Sequence, residues 1–267
     1  MRGDLYPEGS RSADFLPLYA QVFNAVEGNT TFYAQPSPET VARWAERMPA
    51  HLRFCAKLPR EISHNGDLRE QLSATEDFRR LLAPLGKRVA PFWLQLPASF
   101  GPQRLVELIS FIEPWQAGEL AVEVRHPAFF AKGEEERSLN RLLHGRGIER
   151  ICLDSRALFS CVSTAPAVLH AQAKKPRLPL RPTAFSQAPQ LRFIGHPELQ
   201  ANDPWLDKVA GWVEEGRTPY VFLHTSDNRL APQLAQRFHQ QLMRRLPGLP
   251  ALSQVQVDDQ VEQLGLL

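Results

Sequence analysis

Both charge signs, an imidazole and two carboxamides stand at the ends of short apolar runs in this chain. Glu27 and Asn29 close the run 22–29, Lys57 lies near the end of 52–59, and Gln95 near that of 91–97. Glu123 and Arg125 belong to 120–127, Asp154 to 149–155, Arg192 to 191–195, and His224 to 219–225. Buried strands normally end in turn residues. Titratable groups of opposite sign at those ends are what proton transfer or charge-specific binding requires.

Strand side chains alternate between faces, so Glu123 and Arg125 share one face and Val122 and Val124 the other. If the aliphatic pair packs on helices, the charged pair faces a ligand, followed by His126 and the chain-turning Pro127. The same two residues read as a buried ion pair would be structural, and costly to desolvate. Ala25, Glu27 and Asn29 likewise share a face. The adjoining Thr30, Thr31, Phe32 and Tyr33 add hydroxyls and aromatic surface, the mixture found in the wall of a small-ligand pocket. As a plain turn, Asn29 and Thr30 would bond only their own backbone.

Lys57 at the tip of an apolar run neutralises an anion or, with a lowered pKa, forms an imine; otherwise its head pairs with Glu27 or Glu123. Asp154, Glu123, Glu27, His126 and His224 are also of the types that bind divalent ions. No ligand spacing such as HxH or HExxH accompanies them, and Lys57, Arg125 and Arg192 would oppose a cation, so no metal ligand and no cofactor is assigned. His64, His170 and His196 fall in loops and read as surface histidines. Phosphate-loop, dinucleotide and nucleophile-elbow signatures are missing from the sequence.

A chain of 267 residues with 43% hydrophobic content can bury a large core, and a net charge of +2 favours neither nucleic acid nor an anionic membrane. Its three cysteines, Cys55, Cys152 and Cys161, lack metal-site spacing, and buried thiols of this kind suit a reducing compartment. Residues 1–20 lack a secretory apolar segment, and no run of membrane-spanning length occurs. A cytoplasmic location without membrane contact is expected. Prolines cluster in 165–190, where KKPRLPLRP (174–182) reads as a basic, irregular excursion, a solvated loop before it is a nucleic-acid contact.

Between the apolar runs lie helical periodicities with recognisable starts. Ser37-Pro38 opens one, Gly101-Pro102 a second, Glu134 a third, Asp203-Pro204 a fourth and Pro232 a fifth, with a further helix-like segment from Ser12 to Val22. Strand alternating with helix implies a parallel sheet. The size of the chain and the spread of polar tips over many strands predict an α/β fold of the TIM-type (β/α) barrel kind, one domain over 1–267. Only seven strands are countable. The first is expected to be lacking or atypical, either preceding Met1 or made from the first few residues.

The stretches VEGNTTFYAQP (26–36), FCAKLPREISH (54–64), WLQLPASFGP (93–102), VEVRHPAFFAKGEEE (122–136), LDSR (153–156), KKP (174–176), RFIG (192–195) and PYVFLHT (219–225) resemble the YecE family, a prokaryotic group of unknown function. The resemblance spans nearly the whole chain and implies a TIM-type barrel without naming a reaction. The opening RGDLYPEG resembles a segment that in relatives follows a first strand and a tryptophan-containing loop.

These features favour an enzyme acting on a small anionic substrate, phosphorylated or carboxylated. Lys57, Arg125 and Arg192 would hold the anion, and Glu123 would act as general acid or base with Glu27 or Asp154 as its partner. His224 would shuttle protons, while Asn29, Tyr33, Gln95 and His126 would line the substrate. One alternative is a metal-dependent phosphoester hydrolase or sugar isomerase, by analogy with metal-containing barrels. Another is a non-catalytic nucleic-acid or metabolite-binding protein using the basic stretch.

Overall fold

The structure is a computed structural model that describes residues 5–195 and 203–252. His196 and residues 1–4 lie outside the described residues. The chain alternates helix and strand from the start: α1 (Ser12–Val22), β1 (Ala25–Gly28), α2 (Thr30–Tyr33), α3 (Pro38–Arg47) and β2 (Arg53–Ala56). There follow α4 (Arg60–His64), α5 (Leu72–Leu82), β3 (Phe92–Gln95), α6 (Leu105–Ile112), β4 (Leu120–Glu123) and α7 (Glu134–Gly145). The last part comprises β5 (Glu149–Arg150), β6 (Cys152–Asp154), α8 (Arg156–Ser160), α9 (Pro166–Lys174), β7 (Gln190–Ile194), α10 (Pro204–Glu214), β8 (Tyr220–His224) and α11 (Ala231–Arg245).

The expected helix starts are realised chemically. The Ser37 hydroxyl accepts from the Thr40 amide at 3.3 Å, with Pro38 in the first turn of α3. Asp203 behaves differently, because its carboxylate binds Arg237 at 2.6 Å and so fastens the start of α10 to α11. The excursion 165–190 is not wholly irregular. Pro166 starts α9, whose Ala, Val, Leu and Gln residues are adequate helix formers, and only the proline-rich part beyond Lys174 stays extended.

All strand pairs are parallel, in three small sheets ordered β1-β2, β3-β4-β5 and β6-β7-β8. Single bridges, Phe54 to Val89 and Lys57 to Trp93, join β2 to the β3 segment. The Ile151 amide donates to the Val122 carbonyl at 2.9 Å, between β5 on β4 and β6 on β7, so the strands follow one another in chain order. The architecture is α/β with parallel strands. Among the described residues no ladder joins β8 to β1, so a closed barrel is not formed by backbone pairing.

Strand alternation divides the core. Outward residues such as Leu94, Val122 and Val124 pack beneath helices with Val41, Phe78, Phe111 and Leu139, and on the other side Leu191 and Phe193 pack with Trp205, Val209, Trp212 and Phe238. Each such side chain contributes roughly 1.5–3 kcal/mol on burial. Inward residues from successive strands, Cys55, Trp93, Ala121, Ile151 and Phe222, form a separate central cluster. Gly28 lets β1 approach β2, since a Cβ there would stand 2.7 Å from the Phe54 ring.

Between β1 and β8 lies a cavity of about 700 Å³, with Leu5, Tyr19, Ala25, Tyr220 and Phe238 in its wall. Residues 5–11 form no named strand, and β1 and β8 are only half-buried, whereas β4 and β7 are fully buried.

Candidate functional site

Immediately above the central cluster, the next inward position of most strands is polar. Glu27 comes from β1, Lys57 from the residue after β2, Gln95 from β3, Glu123 from β4, Arg192 from β7 and His224 from β8. Parallel strands in register place all of these at one end, the carboxyl end, which is why residues far apart in sequence meet.

Glu27 is the hub. Its carboxylate lies 2.9 Å from Lys57 Nζ, 3.0 Å from Arg192 Nη2 and 2.8 Å from His224 Nε2. Burial alone would raise the proton affinity of Glu27, but Arg192, His224 and Lys57 outweigh it and hold the carboxyl well below the usual range. The His224 ring also has Nδ1 3.3 Å from Asn228 Oδ1, so the imidazole spans two oxygens.

Lys57 is buried and fully engaged. Besides Glu27, its ammonium donates to Asn29 Oδ1 at 2.8 Å and Gln95 Oε1 at 3.4 Å, and it sits 4.2 Å from the centre of the Trp93 ring. Burial and Arg192 depress its pKa, with Glu27 and Glu123 opposing. Enclosed by the Glu27 carboxylate and two amide oxygens, the ammonium has the surroundings of a fixed cation, which favour the charged form over the free amine that imine formation needs.

Glu123 and Arg125 form the second pair. Glu123 Oε1 accepts from Arg125 Nε at 2.8 Å, and Arg125 Nη2 reaches Gln95 Oε1 at 2.9 Å. Glu123 Oε2 is buried and has no hydrogen-bond partner among the described residues; Arg192 Nη1 lies 4.0 Å away. Burial works to raise the Glu123 pKa, but Arg125, Arg192 and Lys57 prevail and lower it. The result is an ionised carboxylate with one oxygen that lacks a hydrogen-bond donor among the described residues. The Arg125 side chain, bound to the other oxygen, Oε1, is 23% exposed, so the guanidinium connects the Glu123 carboxylate to the surface.

Not every sequence candidate joins this group. Asp154 faces the opposite way, accepting from Trp205 Nε1 at 2.7 Å and pairing with Arg156 at 2.9 Å. Neighbouring Leu153 and Ile194 take the inward positions there. Asp154 is thus a structural acceptor beneath α10, not the partner of Glu123. His126 lies next to Arg125 but uses Nδ1 to accept from the Ala128 amide at 3.2 Å, which places the proton of the neutral ring on Nε2. Tyr33 stands 79% exposed beside buried Phe32, at the rim. Asn29 Oδ1 accepts from Lys57, and Gln95 Oε1 from Lys57 and Arg125.

Two participants were not singled out from sequence. Trp93 forms the floor, with its ring 4.2 Å beneath Lys57 and 5.6 Å from Arg192; its i−2 relation to Gln95 was the available signal. Lys175, in the basic stretch, lies within electrostatic range of Arg192, Glu27, Arg125 and Glu123. Farther along that stretch Arg181 pairs with Glu136 and reaches the Phe130 carbonyl, whereas Lys174 and Arg177 are exposed. Among the described residues, no three His, Cys, Asp or Glu side chains come together as metal ligands, and no helix is long and apolar enough to cross a membrane.

The chain is similar to the UPF0759 protein YecE of Escherichia coli K12, with 44% identity over 243 residues, 89% of each chain; the protein of that name from E. coli O157:H7 matches equally. Crystal structures of a DUF72 family protein from Enterococcus faecalis V583 align with TM-scores of 0.65 and 0.59 at 18% identity, which speaks to the fold alone. The first alignment covers 91% of this chain and 92% of that one, the second 88% and 94%. The family profile described as "Protein of unknown function DUF72" matches residues 1–256, and with this match and the extent of the YecE likeness, the chain belongs to the DUF72 family.

Proposed function

We propose that this protein is a cytosolic, single-domain enzyme whose parallel strands make a TIM-type barrel interrupted between β1 and β8, and that it acts on a small anionic substrate by proton transfer. The observation that carries this reading is Glu123 Oε2, a buried carboxylate oxygen without a hydrogen-bond partner among the described residues, 4.0 Å from Arg192 Nη1, on a carboxylate whose other oxygen pairs with Arg125. Unpaired buried acceptors are costly, and a site that keeps one gains when a substrate hydroxyl or acidic C–H fills it.

In this reading Arg125 and Arg192 draw in the anion, and Lys57 holds Glu27 in place. Glu123 accepts the substrate proton, and His224, bridged to Glu27, handles the return. Arrival of an anion offsets the neighbouring cations, which raises the proton affinity of Glu123 toward the range useful for a general base. Tyr33 and His126 flank the entrance.

A thermal-shift screen of phosphorylated and carboxylated metabolites, followed by proton-deuterium exchange of each hit observed by NMR, tests this. Stabilising hits are expected, with exchange catalysed by the wild type and abolished in Glu123→Gln. If no anion stabilises the protein, or Glu123→Gln exchanges as fast as the wild type, the reading is wrong.

A further inference from the structure

β1 and β8 face each other with hydrogen-bonding edges unfilled. In a parallel ladder alternate residues of a strand bond to one neighbour, and the residues between them turn to the other side. The Tyr220 amide donates to the Pro189 carbonyl at 2.8 Å and the His224 carbonyl accepts from the Gly195 amide at 2.7 Å, so Tyr220, Phe222 and His224 serve the β7 side. Val221 and Leu223 then direct their N–H and C=O groups toward β1. On β1 the Asn24 and Gly28 carbonyls accept from the Arg53 and Lys57 amides at 2.8 and 3.4 Å, which leaves the Ala25 and Glu27 N–H groups directed toward β8. Two acceptors on that edge are already covered, since the Tyr19 hydroxyl donates to the Ala25 carbonyl at 3.1 Å and the Asn29 amide to the Glu27 carbonyl at 2.9 Å. Among the described residues no strand pairs with the remaining groups across the gap. Half-buried main-chain donors and acceptors are costly to leave without partners.

The space between the two edges has the size of one strand. A residue in a sheet takes about 3.3 Å along the strand, about 4.8 Å between neighbours and about 10 Å through the sheet, so a cavity of about 700 Å³ holds roughly four to five residues. β1 has four residues and β8 five. The walls are apolar on both faces, with Ala25, Tyr220 and Phe222 beside the central cluster and Val209, Phe238 and Leu242 beneath α10 and α11. A strand buried on both faces is an unbroken apolar run, not an alternating one. The apolar runs of the described residues already belong to strands and helices. Outside them the sequence reads MRGD (1–4), HPELQAN (196–202) and SQVQVDDQVEQLGLL (253–267), none with three consecutive hydrophobic residues.

We propose that the gap between β1 and β8 is a binding site for an extended segment of a partner polypeptide, about five residues long and apolar throughout, that enters as a parallel strand. It takes the direction of every other strand and bonds the main chain on both sides. A polypeptide offers donors and acceptors at the spacing of both edges, whereas a small apolar molecule fills the volume and leaves the edges unpaired. The proposal does not depend on the proton-transfer reading. Glu27 and His224 nevertheless stand in the cavity wall at its carboxyl end, so the inserted strand would end beside the charge cluster.

Amide hydrogen exchange of the full chain followed by NMR, alone and with the synthetic peptide Lys-Ile-Val-Ile-Val-Ile-Lys, tests this. At a peptide concentration about ten times Kd, exchange at Val221, Leu223, Ala25 and Glu27 should slow by about tenfold, with a change of less than about twofold at Val122 in β4. Methylating alternate amide nitrogens of the peptide keeps its side chains and removes the donors along one edge, and should abolish the protection. Val221→Pro, checked for its fold by circular dichroism, removes one donor facing the gap and none facing β7, and should weaken binding by roughly 2- to 10-fold, the range of one hydrogen bond. If the four amides of the free chain exchange as slowly as Val122, the chain fills the gap itself and the proposal fails. It fails equally if the peptide leaves them unprotected. Equal protection by the methylated peptide would make the cavity a site for apolar groups of any kind, and would also overturn it.

Discussion

Glu27 and His224 stand 197 positions apart in the chain and 2.8 Å apart in space, joining the tip of the first described strand to the tip of the last. The same carboxylate neutralises Lys57 and Arg192. Removing it strands two buried cations, whereas removing His224 strands none.

Glu27→Gln should therefore cost about 3–5 kcal/mol in urea unfolding, against about 1 kcal/mol or less for His224→Gln. The pH dependence follows from the lowered carboxyl: its contribution is present above the ordinary value of 4.5 and disappears as pH falls through the folded-state pKa. Acidification should narrow the gap between wild type and Glu27→Gln. A gap of under about 1 kcal/mol at neutral pH would show that Glu27 is not the hub.

Glu149 gives the opposite sign. Burial pushes its carboxyl up to about 7, against donors at Phe185 and Ser186 that favour the charged form. A raised acid stabilises the fold fully below its ordinary value of 4.5 and loses that contribution as pH rises through about 7. Over this window the loss is on the order of 3 kcal/mol. Glu149→Gln should become progressively more stable relative to wild type from acid to neutral pH, as followed by denaturation at fixed temperature. Parallel stability curves for the two proteins would contradict the assignment.

Asp154 separates structure from binding. Asp154→Ala leaves the Trp205 indole N–H without its acceptor and should destabilise by about 1–3 kcal/mol. Anion titration of the folded variant should match the wild type. A loss as large as that expected of Arg125→Gln would return Asp154 to the binding site.

Lys57 should resist imine chemistry. Its ammonium is enclosed by Glu27, Asn29 and Gln95 over the Trp93 ring. Borohydride treatment with small aldehydes and keto acids, read by peptide mass spectrometry, should modify exposed lysines and spare Lys57. A reduced adduct on Lys57 at a level matching the surface lysines would overturn its description as a fixed cation.

Much of this arrangement could be read from the residue pattern. Alternation placed Val122 and Val124 on helices and Glu123 with Arg125 inward, and the strand-tip polarity of Glu27, Lys57, Gln95 and His224 marked one end of the sheet. Asp154 was misplaced because both faces of ERICLDS (149–155) mix apolar and charged residues, so parity there could not be decided by hydrophobicity. Lys175 was hidden because its position depends on the bond from Ser155 to Pro176, across 21 residues of sequence. The helix α9 was masked by surrounding prolines, although Pro166 itself supplies its first turn. Nothing in the strand count indicated that β1 and β8 would face each other across a cavity.

That cavity has a dynamic consequence. Among the described residues, backbone groups on the facing edges of β1 and β8 lack the strand-to-strand ladder that protects β4 and β7 on both sides, and the tip contact of Glu27 with His224 spans the gap by side chains. Local opening costs least where few hydrogen bonds must break together. Amide hydrogen exchange should accordingly be fastest along this seam and slowest in β4 and β7. Because Glu27 is also the counter-ion of the site, a ligand that draws on its cations would change how tightly the seam is clasped, and the exchange rates of β1 and β8 would report site occupancy.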